Sequence, residues 1–234
     1  RMKVLDESRS EFVSNVSHEL KTPMTSMKVL ADSLVGQQGV PEDLYQEFMR
    51  DITAEIDREN RIITDLLTLV KMDKKNADLQ IQHMSINQLL EDILKRLRPI
   101  ADKRNIDLIL DSFRPVEADV DELKFTSAIS NLVENAIKYN VDDGWVRVSL
   151  DADHKFFYVT VADSGMGIPE DSLSRIFERF YRVDKSHSRE IGGTGLGLAI
   201  TRSTIGMHHG VIKVFSKEGE GTTFSVRVPL SYIP

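Results

Sequence analysis

The residues best equipped for chemistry cluster between Phe12 and Ser26, read as FVSNVSHELKTPMTS. His18 is followed at once by Glu19, with Thr22 four residues on and Pro23 behind it. A neutral imidazole keeps one ring nitrogen free as a nucleophile. A neighbouring carboxylate can fix the tautomer and take a proton. Residues four apart share a helix face, so Thr22 can hold a water near whatever His18 carries. Taken alone, the stretch describes an exposed helical histidine just as well.

Four later stretches carry polar groups in patterns that suit a nucleotide. In Asn131–Tyr139, NLVENAIKY, a helix puts Asn131, Asn135 and Lys138 on one side. Amide oxygens and a carboxylate such as Glu134 suit Mg²⁺, a hard cation that keeps waters and bridges phosphates. Asp163–Pro169, DSGMGIP, follows a strand, and its Gly165 and Gly167 let the backbone turn sharply. An aspartate there can accept from an adenine amino group. Gly192–Ile200, GGTGLGLAI, opens a helix and offers backbone amides to phosphate. Its Gly193, Gly195 and Gly197 match neither the P-loop nor the dinucleotide fingerprint. Phe177–Arg182, FERFYR, runs into a polar segment, Val183–Ile191, that reads as a mobile lid. Arg179 and Arg182 sit at its base, within reach of phosphates.

The elements that must position these groups fall into two kinds. Leu5, Phe12, Val13, Val16, Leu20, Met24, Met27, Leu30 and Leu34 recur at three- and four-residue steps and predict one long helix, bent at Pro23. After Gly36, Gly39 and Pro41 a second helix carries Leu44, Phe48, Ile52, Ile56, Ile62, Ile63, Leu66, Leu67 and Val70 as far as Met72. One hairpin cannot bury stripes this wide, but two can in a four-helix bundle, which predicts a homodimer. Asp73–Asp78, DKKNAD, marks a boundary, with a helical unit at 1–75 and a second unit at 76–234. Beyond it the periods predict strands at Leu79–Ser85, Ile106–Leu110, Trp145–Leu150, Phe156–Ala162, Val211–Ser216 and Thr223–Val228. Helices are expected at Ile86–Arg104, Asp121–Tyr139 and Leu198–His208. This is an α+β unit, a sheet with helices on one face.

Composition narrows the field. The 234 residues are 41% apolar and 29% charged, enough for a core and for long exposed helices. The net charge of −7 argues against a nucleic-acid binder. There is no cysteine, hence no disulfide framework and no thiolate zinc site. No apolar run approaches the ~20 residues that span a bilayer. The chain opens at Arg1 in a helical pattern, and we read it as part of a longer protein.

In combination the stretches are far more specific than any one of them. The order is His-Glu-x-x-Thr-Pro on a long helix, then an N-x-x-x-N helix, D-x-G-x-G, a Phe-rich turn and G-x-G-x-G. It resembles the bacterial sensor histidine kinases of two-component systems, over essentially the whole chain. The resemblance implies an all-α hairpin that dimerises into a four-helix bundle. An α+β sandwich ATP-binding domain follows, of the type shared with gyrase, Hsp90-like chaperones and MutL-like ATPases. It implies His18 as phosphoacceptor, Glu19 as its acid-base partner and Thr22 as support for dephosphorylating the partner. It implies ATP and Mg²⁺ as cofactors, with Asn135 as metal ligand and Glu134 acting through a metal-bound water. Asn131, Lys138 and Tyr139 would lie near the phosphates and base. Asp163 would read the adenine, with Gly165, Gly167 and Ile168 shaping its pocket. Phe180 and Arg182 belong to the Phe-rich box, and Gly193, Thr194, Gly195, Leu196 and Gly197 to the phosphate loop. Thr223, in the last glycine box (GEGTTF), would approach the adenine.

The partner implied is a response-regulator receiver domain, and the place implied is the cytoplasmic portion of a membrane-anchored sensor whose membrane segments lie upstream. One departure stands out. Where many relatives have Thr or Ser followed by Pro after Lys-Tyr, this chain has Asn140-Val141. Two other readings stay open. One is an ATPase of the same fold that hydrolyses ATP for motion. The other is a catalytically silent dimeric scaffold that senses nucleotide.

Overall fold

The computed structural model describes residues 2–35, 39–72, 79–183 and 193–233, with side chains from residue 12 onward. The first two elements are long helices, α1 (Met2–Val35) and α2 (Glu42–Met72), packed as a hairpin. Pro23 lies inside α1, which runs through it as a single continuous helix. The expected boundary at 73–78 falls outside the described residues.

The second unit begins with β1 (Ile81–Ser85), α3 (Ile86–Asp102), β2 (Asp107–Ser112), β3 (Glu117–Asp121) and α4 (Glu122–Lys138). It continues with β4 (Trp145–Ala152), β5 (Phe156–Asp163), α5 (Gly197–Met207), β6 (Val211–Lys217) and β7 (Gly221–Pro229). Both long helices of this unit start on a side-chain cap. Ser85 Oγ accepts from the amide of Gln88, and Asp121 Oδ1 from that of Lys124. The main sheet has the order β2-β4-β5-β7-β6. Its β2/β4 pair is parallel and the rest antiparallel.

Strand alternation decides what each face does. Val146, Val148 and Leu150 of β4, Phe157, Val159 and Val161 of β5, and Phe224, Val226 and Val228 of β7 point inward. They meet Leu90, Ile93 and Leu97 of α3 and Phe125, Ile129 and Leu132 of α4 in one core. The opposite face carries Arg147, Ser149, Tyr158, Thr160 and Ser225. This confirms the hairpin and the sheet with helices on one face. The pairing of β1 with β3 as a separate two-stranded sheet was not foreseen.

Candidate nucleotide and phosphoacceptor sites

α4 brings Asn131, Asn135 and Lys138 to one side, as their spacing requires. The Asn131 amide donates to Thr201 Oγ1 at 3.0 Å, which ties α4 to α5. Asn135 is half-buried, and its side chain makes no hydrogen bond among the described residues. Lys138 Nζ lies 5.3 Å from the centroid of the Tyr139 ring. A β-carbon placed on Gly193 would come within 3.1 Å of that ammonium. Burial, with Arg182 and Arg61 nearby, lowers the Lys138 pKa to about 8. Burial likewise raises that of Tyr139. A desolvated cation at the mouth of a glycine loop suits an anionic ligand.

β5 ends on Asp163, where a tight turn follows. Asp163 Oδ1 accepts from the amide of Gly165 at 2.8 Å and of Thr222 at 3.2 Å. Its other oxygen has no hydrogen bond among the described residues. Burial raises the Asp163 pKa, against the pull of those two N–H groups. Gly167 has φ +70°, and a β-carbon there would strike the Lys217 carbonyl, so no other residue fits. The Ile168 amide donates to Ser216 Oγ at 2.8 Å. Thr223 requires a correction. It pairs with Ala162 and alternates onto the outer sheet face, whereas Thr222 is the buried residue that touches Asp163. The one-residue difference matters because the side-chain period of a strand is two.

The Phe-rich turn and the glycine loop hold each other. Phe180 N–H donates to the Gly195 carbonyl at 2.8 Å. Gly195 has φ +69°, and a β-carbon there would come within 2.9 Å of the Phe180 backbone. Phe180 itself is at φ +63°, an unusual state for an aromatic residue. A β-carbon on Gly197, the first residue of α5, would lie 2.4 Å from the Asn131 side-chain oxygen. Residues 184–192, and most of the expected lid with them, lie outside the described residues.

This loop also rests on the hairpin, a contact that no local pattern indicates. Thr194 Oγ1 donates to Asp65 Oδ2 at 2.7 Å, and the Leu196 amide donates to Thr194 Oγ1 at 3.2 Å. Leu69, Leu196 and Ile200 form a buried cluster flanked by Leu66, Met72 and Phe180. The Phe180 ring lies 6.0 Å from that of Phe12, and the Arg179 guanidinium lies over Phe12 at 5.2 Å. Phe180 and Leu196 therefore put their side chains against the hairpin.

His18 projects from α1 into solvent, six residues and about 9 Å along the axis from Phe12. Neither the imidazole nor the Glu19 carboxylate makes a hydrogen bond among the described residues. Adjacent helical residues diverge, so Glu19 does not hold the ring here. Thr22 is one turn on, and its Oγ1 donates to the His18 carbonyl at 3.0 Å.

Comparison with known proteins agrees with this geometry. Residues 8–75 match the family described as His Kinase A (phospho-acceptor) domain. Residues 120–232 match the one described as histidine kinase-, DNA gyrase B- and HSP90-like ATPase. The chain is 35% identical to sensor histidine kinase WalK of Bacillus subtilis, over 96% of this chain and 37% of that protein. The chain belongs to the sensor histidine kinase family. This member is also 35% identical to the sensor-like histidine kinase SenX3 of Mycolicibacterium smegmatis, over 96% of this chain and 58% of the relative. It thus spans about two fifths to three fifths of these relatives' lengths. Its fold is also that of histidine kinase ThkA, solved in complex with the response regulator protein TrrA. That likeness has a TM-score of 0.78 at 24% identity, over 94% of this chain and 61% of the other.

Proposed function

We propose that this chain is the ATP-dependent kinase core of a two-component sensor, with a helical unit at 1–75 and an ATP-binding unit at 76–234. It moves a phosphoryl group from ATP to His18 and then to an aspartate of a response regulator. The observation that carries the reading is a pair of uncommitted groups in one chain. His18 offers a solvent-facing imidazole, and the pocket offers Asp163 with one carboxylate oxygen that has no hydrogen bond among the described residues.

The residues present fit ATP. The free Asp163 oxygen can accept from the adenine amino group while Oδ1 stays tied to Gly165 and Thr222. Lys138 and the amides opening α5 face the phosphates. No cluster of three His, Asp or Glu residues able to hold a metal exists among the described residues. Mg²⁺ would therefore rest on Asn135 and the phosphate oxygens, with Glu134 acting through water. Bound Mg-ATP supplies the γ-phosphoryl group and neutralises its developing charge. Positioning and electrostatics do the rest, as in other phosphoryl transfers. His18 attacks in line as the bond from the γ-phosphorus to the bridging oxygen breaks and ADP leaves, and Glu19 takes the ring proton once the catalytic unit closes on it. Thr22, fixed one turn away, would serve the reverse reaction by placing a water against the phosphorylated partner.

The remaining exposed apolar groups of the hairpin support a homodimer, and the regulator-bound relative supports a receiver domain as partner. No described helix is long and apolar enough to cross a membrane. We place the chain on the cytoplasmic side of a membrane-anchored sensor, by analogy with relatives named as sensors.

The test uses ATP labelled on the γ-phosphate. Acid-labile, base-stable label on the wild type and none on His18→Gln is expected. Equal labelling of both would sink the assignment of His18. Phosphate release without protein label would favour the ATPase reading, and ATP binding with neither would favour the scaffold. Thr22→Ala should label normally but dephosphorylate the receiver more slowly.

A further inference from the structure

The DSGMG loop and the end of α4 form two walls of the proposed nucleotide pocket, and they meet without slack. The Tyr139 carbonyl accepts from the Met166 amide at 3.0 Å. A β-carbon on Gly165 would lie 2.4 Å from that same carbonyl. The spacing of these walls therefore depends on what holds the last turn of α4. A helix end leaves carbonyls without intrahelical partners, and it favours a cation there.

The group that meets this need comes from neither wall. Arg104 follows α3, in the connection to β2, outside every motif that marks the site. Its Nη1 donates to the carbonyls of Ile137 at 2.8 Å and Lys138 at 3.1 Å. Its Nη2 donates to the carbonyl of Asn140 at 2.8 Å, and its Nε to Asp142 Oδ1 at 2.8 Å. The loop closes back on it, since the Asp143 amide donates to the Arg104 carbonyl at 3.2 Å.

Asn140 passes the constraint on. This is the position where the chain departs from the Thr/Ser-Pro of many relatives. It is buried and fully used. Its Nδ2 donates to the carbonyls of Ala136 and Trp145, both at 3.0 Å. Its Oδ1 accepts from Ser164 Oγ at 3.0 Å and from the Val141 amide at 2.9 Å. Ser164 is the neighbour of Asp163, so one unbroken chain of bonds runs from Arg104 to the adenine-side wall.

We infer that Arg104 is a positioning residue for the nucleotide, acting through the α4 end and Asn140 to fix Lys138 and Tyr139 against the Asp163 loop. The inference rests on the ATP reading of that pocket. Arginine suits the task because its planar fork reaches three carbonyls at once. A lysine would keep the charge but act as one point donor.

The test compares wild type with Arg104→Gln, Arg104→Lys and Asp142→Ala, with Arg147→Gln on the outer sheet face as control. ATP affinity is measured at equilibrium, KM and kcat by labelling, and Tm by thermal unfolding. Arg104→Gln should raise Kd and KM for ATP about 10-fold, the loss of roughly one net charged hydrogen bond, with kcat at saturating ATP within about twofold. Arg104→Lys should recover about a third of that loss, and the control should match wild type. A lowered Tm with unchanged KM in the folded fraction would make Arg104 a plain helix cap and overturn the inference. If Arg104→Gln does not fold, the exposed Asp142→Ala decides, with an expected KM rise of about twofold. An unchanged KM in that variant would overturn the inference. A wild-type chain that binds no ATP would sink this inference and the proposed function together, whereas a variant effect that fails on an ATP-binding wild type sinks this one alone.

Discussion

The helical hairpin and the sheet unit treat apolar surface in opposite ways. In the hairpin, Val29, Ile56, Ile63, Leu67 and Val70 are each more than 40% exposed, and Ile62 and Leu69 are its only large side chains that are fully buried among the described residues. In the sheet unit the inward residues of three central strands and of α3 and α4 are sealed into one core. The sheet unit buries most of its large apolar side chains within itself, while the hairpin leaves many of its own exposed. Two histidines repeat the contrast. His18 lies in solvent, and neither of its ring nitrogens has a hydrogen bond among the described residues. His208 is 1% exposed, with Nδ1 bonded to the Thr204 carbonyl at 2.8 Å and Nε2 to the Asp121 amide at 2.9 Å. A group that must react needs access, and a group that holds elements together needs saturation.

Asp163→Asn presses hardest on the claim that the sheet unit is complete without its ligand. The amide oxygen can keep the Gly165 and Thr222 bonds, while its NH₂ would confront the adenine amino group. ATP affinity should fall on the order of 100-fold or more, as when a polar site meets a mismatched partner. Stability should move the other way. The folded Asp163 pKa is raised, so its contribution is fully present below the unfolded value near 3.9 and is lost as pH rises through the folded one. At pH 7 the ionised group therefore costs stability that asparagine restores. Thermal unfolding should give an equal or higher Tm, and a lower Tm with ATP binding retained would overturn both halves of the argument.

Leu67→Lys presses on the hairpin. Leu67 is 56% exposed in the single chain. In a four-helix bundle it would be covered, and the lysine would place two charges in one seam. The dimer dissociation constant should rise on the order of 10- to 100-fold, because about half of the roughly 1.5–3 kcal/mol for fully burying a leucine is lost in each of two copies. ATP affinity should stay unchanged. Light scattering across a dilution series reads this, and an unaltered oligomer would mean that the exposed stripe serves something other than self-association.

The same contrast explains what the sequence discloses. The hairpin and the inward strands repeat at fixed periods, so their faces could be read directly. The site motifs are local too, since Asn131, Asn135 and Lys138 share a helix face by spacing alone. β3 escaped because EADVD carries three acids in five residues, a poor strand composition. Its existence depends on pairing with β1, more than thirty residues away. Arg104 and the Asp65–Thr194 contact were invisible for the same reason. The first acts through backbone carbonyls, which no side-chain pattern reports. The second joins residues 129 apart.

The smallest effect expected lies at His208, and there the comparison of histidines becomes a pH dependence. Burial lowers its pKa from 6.5, outweighing the bond to Thr204 and the nearby Asp121. Its Nε2 accepts from a backbone amide, so the folded form needs that nitrogen unprotonated. A lowered folded pKa means the contribution is fully present above 6.5 and is lost as pH falls through the folded value. His83 works against it. Asp119 and then Glu117 hydrogen-bond its exposed ring and raise its pKa, so its contribution fades as pH rises through that raised value. The wild-type profile mixes the two, and only the difference between wild type and His208→Gln isolates the buried ring. Glutamine can accept from the Asp121 amide but does not titrate. Denaturant unfolding at pH 7.5 and 5.5 should show wild type losing more stability than the variant over that interval, because only the wild-type ring takes up a proton there. Parallel profiles would mean that His208 is protonated, or free to leave its pocket, in the folded chain.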